Sequence, residues 1–256
     1  MFINNFDPVA IEIFSFEIRW YSLAYIFGIL LGWLYCKKKL INDKKILVLF
    51  DDLLAYLIIG IIVGGRIGYV IFYNPEYYLE NLHQILMIWN GGMSFHGGLI
   101  GVFLATIIFS RKHKIDPYIF LDLISLVAPI GIFFGRIANF INSELYGREA
   151  DLLWSVKFQA IDNIPRHPSQ IYEAIFEGII LFLLLNFFRK KFALKKPGLI
   201  SSFFLIFYSI FRFILEFYRA PDPQIGYLLF HLTFGQILSI LFIFFGIAIF
   251  VKKNEN

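Results

Sequence analysis

Arg136 and Asn139 stand three residues apart, and Arg212, Glu216 and Arg219 follow one another at i, i+4 and i+7. On a helix each set shares one face. The planar guanidinium fork matches phosphate and carboxylate, so both faces read as places to hold an anion. Arginine before glutamate is the weaker order for a helix pair. Glu216 is therefore expected to orient Arg212 or Arg219 more than to stabilise its helix. The face binds an anion if at least one arginine stays unpaired. His96, within Met93-Ser94-Phe95-His96-Gly97-Gly98, adds a side chain suited to moving protons near neutral pH. A helix-start histidine bonded to backbone is the competing reading of that position. The five histidines lack metal-ligand spacing, and no nucleophile elbow or phosphate-cradling glycine loop occurs. No metal and no cofactor are expected. Cys36, the single cysteine, excludes an intrachain disulfide and a thiolate cluster.

The elements that must position these groups are strongly apolar. Hydrophobic residues make up 59% of the 256 residues, and mean hydropathy is +0.70; soluble domains sit nearer half apolar. The excess falls in blocks of about 16–23 residues, the length that crosses a bilayer core. Lipid offers backbone groups no partner, so each block must be a helix or part of a closed barrel. The runs are continuous rather than alternating, which selects helices. Spans are expected near Trp20–Tyr35, Leu53–Tyr73, Phe95–Phe109, Ile119–Phe140, Ile171–Phe188, Leu199–Phe217 and Leu229–Val251. The longest connection, Ile141–Gln170, is too short for an ordinary independent domain. The fold class expected is thus an all-α integral membrane protein, a bundle of seven transmembrane helices, with residues 1–256 as one domain.

Charge orients the bundle. Net charge is +4 and the isoelectric point about 9.0. The basic residues serve as orientation signals rather than a nucleic-acid surface, since most lie between apolar blocks. Lys37, Lys38, Lys39, Lys44 and Lys45 fill the first connection and Arg111, Lys112 and Lys114 the third. Arg189, Lys190, Lys191, Lys195 and Lys196 fill the fifth, and Lys252 and Lys253 the tail. The positive-inside rule then puts the N-terminus outside (periplasmic) and the C-terminus in the cytoplasm, with a small periplasmic connection between spans four and five. The N-terminus has no basic n-region, so no removable signal peptide is expected.

Depth follows from topology. Tyr21, His96, Arg136, Asn139, Gln170, Glu173, Glu177, Arg212, Glu216, Arg219 and His231 all fall in the outer membrane third, and Arg66 lies partly outward in span two. A charge in hydrocarbon costs at least about 2.5 kcal/mol and marks a functional site by default. Arg212 sits roughly 8 Å below the outer end of its helix. Arg66 is expected to brace the bundle. Gly60, Gly64 and Gly68, with Gly28 and Gly32 and with Gly131 and Gly135, form small-xxx-small rows that let helix backbones approach.

The densest polar stretch is Gly135-Arg136-Ile137-Ala138-Asn139-Phe140-Ile141-Asn142-Ser143-Glu144-Leu145-Tyr146-Gly147-Arg148. It resembles the signature of the prolipoprotein diacylglyceryl transferase family, G-R-x-[GA]-N-F-[apolar]-N-x-E-x-x-G-R, at every fixed position. Trp20-Tyr21, Gly65 through Tyr69, Ser94 through Leu99, Arg166 through Glu173, Phe211 through Arg219 and Gly235-Gln236 extend the likeness along nearly the whole chain. Ser143 is commonly Gly in that family, and Tyr146 commonly Trp.

The resemblance implies transfer of the diacylglyceryl group of phosphatidylglycerol to the lipobox cysteine thiol of a prolipoprotein. A thioether forms and glycerol phosphate leaves. The partners implied are phosphatidylglycerol, prolipoprotein signal peptides and membrane lipids. The place implied is the bacterial cytoplasmic (inner) membrane, with the site toward the periplasm. By resemblance Arg136 and Arg212 bind the phosphate, Arg219 and Glu216 assist, and Asn139 and Glu144 position headgroup or arginines. Gly147 allows close backbone approach, Tyr21 hydrogen-bonds lipid or substrate, and His96 is the leading candidate base. A lipid or anion transporter is the alternative reading. It would need a charged path to the inner face, and the inner halves of these spans are nearly uncharged.

Overall fold

The computed structural model describes residues 1–14, 16–190, 196–221 and 226–255. Lys191 and Lys195 of the fifth connection lie outside the described residues. Strands β1 (Phe2–Asn4), β2 (Val9–Ile13) and β3 (Phe16–Arg19) lead into helix α1 (Trp20–Tyr35). A π-helical turn at Cys36–Leu40 precedes α2 (Lys44–Phe72) and α3 (Pro75–Glu80). Short 3-10 turns at Leu82–Leu86 and Ile88–Asn90 lead to α4 (Phe95–His113) and α5 (Pro117–Ile141). Then come β4 (Val156–Phe158), β5 (Pro165–Arg166), α6 (Ser169–Glu173), a π-helical segment Ala174–Ile180 and α7 (Leu181–Phe188). The chain ends with α8 (Leu199–Leu215), a 3-10 turn Leu229–His231 and α9 (Phe234–Glu255).

Every segment expected to span is helical. The helix α2, the helix α5, the stretch Ser169–Phe188 and the helix α9 are long and apolar enough to cross a membrane, and α8 is a shorter apolar helix. Three details differ from expectation. The second helix begins at Lys44 rather than Leu53, because the Asp43 side chain caps it, accepting from Lys45 N at 2.7 Å and Ile46 N at 3.3 Å. The last helix begins at Phe234 rather than Leu229, because Phe230 (φ 56°) and His231 (φ 57°) are left-handed and interrupt the run. The fold is also not wholly helical. β1 pairs in parallel with β4, β4 pairs antiparallel with β5, and β2 and β3 form a hairpin.

The chain forms two compact units, Met1–Lys38 with Asp122–Asn256, and Lys39–Leu121. In the first, a Cβ on Gly28 of α1 would stand 2.8 Å from the Gly131 Cα of α5, so only glycine permits that approach. Asp122 of α5 caps α8 from the side, accepting from Gly198 N (2.7 Å), Ser201 N (2.8 Å) and Ser201 Oγ (2.6 Å). Leu126, Phe158, Leu181 and Leu185 are buried.

In the second unit, α2 packs its glycine row on α4. A Cβ on Gly60 would lie 2.6 Å from Gly101 O, and one on Gly68 2.8 Å from Gly97 Cα. The other side of α2 shows Ile59, Val63, Ile67 and Ile71, each exposed and four residues apart. A continuous apolar stripe of this kind needs lipid or a partner to cover it. Buried Arg66 donates to the carbonyls of Gln84 (2.6 Å), Ile85 (2.9 Å), Met87 (3.2 Å), Gly91 and Gly92 (3.1 Å). Its charge is thereby matched by backbone dipoles, and it braces the loop between α3 and α4.

Candidate active site

Three elements of the first unit converge their polar side chains. Arg136 projects from the last turns of α5, Glu173 and Glu177 from the end of α6 and the π-helical segment, and Arg212 from the last turn of α8. Glu216 caps α8, and Arg219 lies just beyond. A π-helical turn inside an apolar helix commonly marks a functional position; here it carries Glu177.

The cluster is closed by shared contacts. Arg136 Nε lies 3.1 Å from Glu173 Oε2, and Arg136 Nη2 3.2 Å from Glu177 Oε2. Arg212 Nη1 donates to Glu173 Oε1 and lies 3.7 Å from Glu177 Oε1. Arg212 Nη2 donates to Glu216 Oε2, while Thr233 Oγ1 donates to Glu216 Oε1 at 2.9 Å. Arg219 Nη1 lies 3.4 Å from Glu173 Oε1. One carboxylate, that of Glu173, thus holds three guanidiniums. The arginine side chains keep 12–16% exposure while Glu173 and Glu177 have none. The cations face the accessible side and the carboxylates stand behind them. An arriving anion meets guanidinium first.

This differs from one expectation. No arginine of the Arg212–Arg219 face is without a carboxylate. The reason is the helical stretch Ser169–Phe188: its Glu173 and Glu177, four residues apart, neutralise the arginines from a neighbouring helix. Both glutamates fall within the expected outer third but are not among the expected site residues. The available signal was two acidic groups in an apolar run, which need partners of opposite charge.

A strap between α5 and β4 meets this cluster at the backbone of Arg219. Asn139 Nδ2 donates to Glu144 Oε2 (3.1 Å) and Asn142 Nδ2 to Glu144 Oε1 (3.3 Å). Gln170 Nε2 donates to the Glu144 carbonyl at 2.6 Å. Ser143 (φ 57°) and Leu145 (φ 54°) are left-handed, which accounts for the family's usual glycine at position 143. Glu144 itself is exposed. Gly147 N donates to His167 O at 3.1 Å, and a Cβ on Gly147 would stand 2.6 Å from the His167 Cβ. The close approach at Gly147 is therefore to the chain's own His167. Gly147 also bridges to Arg219, and Arg148 Nε donates to Arg219 O at 3.0 Å, which fixes the backbone of that arginine.

Outside the apolar helices, Arg166 Nη2 donates to Asp162 Oδ2 at 2.6 Å and lies over the Tyr146 ring. That bond holds the Asp162 carboxyl below the usual carboxylate range. Partial burial pushes His167 down from the usual histidine range. Its Nδ1 is 3.2 Å from Tyr172 Oη, which accepts from Trp154 Nε1 at 2.8 Å.

Of the residues singled out in the sequence, Arg136, Arg212, Glu216 and Arg219 come together, and Asn139, Glu144 and Gly147 form the strap beside them. Tyr21, in the first turn of α1, packs its ring edge-on against Tyr25. His96 belongs to the second unit. It is exposed in the first turn of α4, beside Phe95, where the Ser94 side chain caps the helix by accepting from Gly97 N at 3.2 Å.

An apolar groove lies beside the cluster, lined by Pro129, Ile130 and Phe133 of α5 with Gly178, Ile179, Phe182 and Leu183 of the stretch Ser169–Phe188. Phe133 is one turn before Arg136 on the same helix, and Gly178 follows Glu177. The arrangement can take an anion at its charged end and an acyl chain at its apolar end.

Residues 8–252 match the family model for prolipoprotein diacylglyceryl transferase. A phosphatidylglycerol–prolipoprotein diacylglyceryl transferase of Nitrobacter winogradskyi is 49% identical over 253 residues, covering 95% of this chain and 87% of its own. The protein of that name in Rhodospirillum rubrum is 49% identical over 258 residues, covering 97% and 93%. The one in Rickettsia typhi is 48% identical over 260 residues, covering 100% of both chains.

Proposed function

The chain belongs to the prolipoprotein diacylglyceryl transferase family, and from that premise we propose that its arginine–glutamate cluster is where phosphatidylglycerol is held for transfer. The protein moves the diacylglyceryl group of phosphatidylglycerol onto a prolipoprotein. The acceptor is the lipobox cysteine thiol and the product a thioether. The observation that carries the site assignment is the cluster itself: three partly exposed guanidiniums backed by buried carboxylates, with residues one turn from Arg136 and next to Glu177 lining an apolar groove.

Chemistry assigns the roles. Sulfur attacks the glycerol carbon that bears the phosphodiester oxygen. The S–C bond forms, the C–O bond breaks, and glycerol phosphate leaves with the electron pair. Charge grows on the departing phosphate, so fixed donors aimed at it lower the barrier. Arg136 and Arg212 supply them, with Arg219 assisting. Among the described residues Arg219 has one carboxylate contact, at 3.4 Å, and it is the guanidinium most readily turned to a new anion. Glu216 and Glu173 fix the rotamer of Arg212. Exposed Glu144, set by Asn139, accepts hydroxyls of the glycerol headgroup. The thiol is only a few per cent ionised at pH 7 and must lose its proton; His96 is the acceptor we favour, and Tyr21 a hydrogen-bonding contact for lipid or peptide.

Seven spans, an external N-terminus and an internal C-terminus fit the basic residues of alternate connections. In this reading the site faces the periplasmic side of the bacterial inner membrane, and the whole chain acts as one catalytic membrane domain. The direct test is reconstitution with phosphatidylglycerol and a lipobox peptide. Thioether formation supports the assignment. Movement of lipid across the bilayer without peptide modification favours a transporter instead.

A further inference from the structure

Resting on the reading of the cluster as the phosphodiester site, we propose that Glu177 takes up a proton when phosphatidylglycerol binds and so keeps the buried cluster neutral.

Arg136, Arg212 and Arg219 bring three positive charges, and Glu173, Glu177 and Glu216 bring three negative ones. Arginine does not give up its proton in proteins, so among the described residues the cluster is balanced before lipid arrives. A phosphodiester adds one negative charge to a site whose rear wall is fully enclosed. An uncompensated buried charge is strongly disfavoured. The carboxylates are fixed to their helices and cannot leave. One of them must become neutral.

Geometry selects Glu177. Glu173 touches all three guanidiniums, and Glu216 has both Arg212 and the Thr233 hydroxyl. Glu177 is held by Arg136 at 3.2 Å and by Arg212 only at 3.7 Å. Its buried Oε1 accepts no directed hydrogen bond from the described residues. Neutralising it therefore sacrifices the least, and it frees the Arg136 Nη2 that Glu177 holds at 3.2 Å to turn toward phosphate. The groups facing Glu177 are Arg136 from α5, Arg212 and Tyr208 from α8, and Glu173 on its own element. Glu173 is a like charge sharing the same two arginines, which further favours a shared proton on the pair. One proton from solvent converts carboxylate to carboxylic acid, and no other bond is made or broken. Glu177 is a positioning residue in this scheme, acting through Arg136.

Calorimetric titration of the whole protein in uncharged detergent with dihexanoyl phosphatidylglycerol tests this. Runs at pH 7 in two buffers of different ionisation enthalpy give the protons exchanged. Uptake of about one proton per lipid is expected, with affinity weakening about tenfold per pH unit on the alkaline side. Glu177→Gln should bind with a heat independent of buffer. Saturable wild-type binding with no proton uptake overturns this proposal and leaves the phosphodiester site standing. Uptake persisting in Glu177→Gln also overturns it. Absence of saturable binding overturns the phosphodiester site, and the proposal with it. Because the wild-type buffer comparison decides by itself, a variant that folds poorly does not shield the idea.

Discussion

Arg136 and Glu173 meet at 3.1 Å through Nε and Oε2, with the glutamate fully enclosed. They come from separate helices, and the same carboxylate also receives Arg212. Glu173→Gln keeps the shape and removes the charge that holds three guanidiniums. Breaking a buried pair by removing one partner costs about 3–5 kcal/mol. Thermal unfolding in detergent is expected to shift down accordingly, with transfer activity lost alongside. A stable, active Glu173→Gln protein would deny the carboxylate its central place.

Arg212→Lys replaces a fork that spans Glu173 and Glu216 with a point charge that reaches one of them. Transfer is expected to fall by about 10²–10³ in kcat, as when one transition-state donor is removed. Single-turnover kinetics on a lipobox peptide measure it.

The helices were legible because apolar runs of membrane length admit few other structures, and Arg136, Arg212 and Arg219 stood out because charge inside such runs is rare. The pairing was not. Arg136 meets Glu177 across 41 residues and Arg212 meets Glu173 across 39, and nothing local specifies which acidic group meets which base. The parallel pairing of β1 with β4 escaped notice for the same reason, since three-residue strands carry almost no periodicity. Gly147 could be read as a close-approach glycine, but the partner, His167, emerged only from the fold.

Gly147→Ala drives a methyl to within 2.6 Å of the His167 Cβ. A loss of about 1–3 kcal/mol is expected from such overpacking, with activity reduced because Arg219 hangs from the same bridge. Within the pair Gly28 and Gly131 the outcome should be one-sided. Gly28→Ala collides with the Gly131 backbone, whereas a Cβ on Gly131 meets nothing within 4 Å. Unfolding midpoints of the two variants make the comparison.

Arg66→Ala removes the donor from five loop carbonyls. Bonds to a charged donor are worth about 1.5–3 kcal/mol apiece, so hydrogen exchange across residues 81–93 should accelerate sharply. Unchanged protection there would remove the bracing role.

The Asp162–Arg166 pair gives a small acid-side dependence. The folded carboxyl is held below its unfolded value of about 3.9. Its contribution is present above that value and disappears as pH falls through the lower folded one. Both groups are partly solvated, so the effect is at most about 1 kcal/mol. Asp162→Asn should flatten the stability profile below pH of about 4 and leave it unchanged at neutrality.

The central claim is tested most directly by mass spectrometry of a lipobox peptide incubated with the purified protein and phosphatidylglycerol. The expected result is a gain of one diacylglyceryl group on the cysteine sulfur, with one glycerol phosphate released per peptide modified. An unmodified peptide, or one carrying the lipid with its phosphate retained, would contradict it.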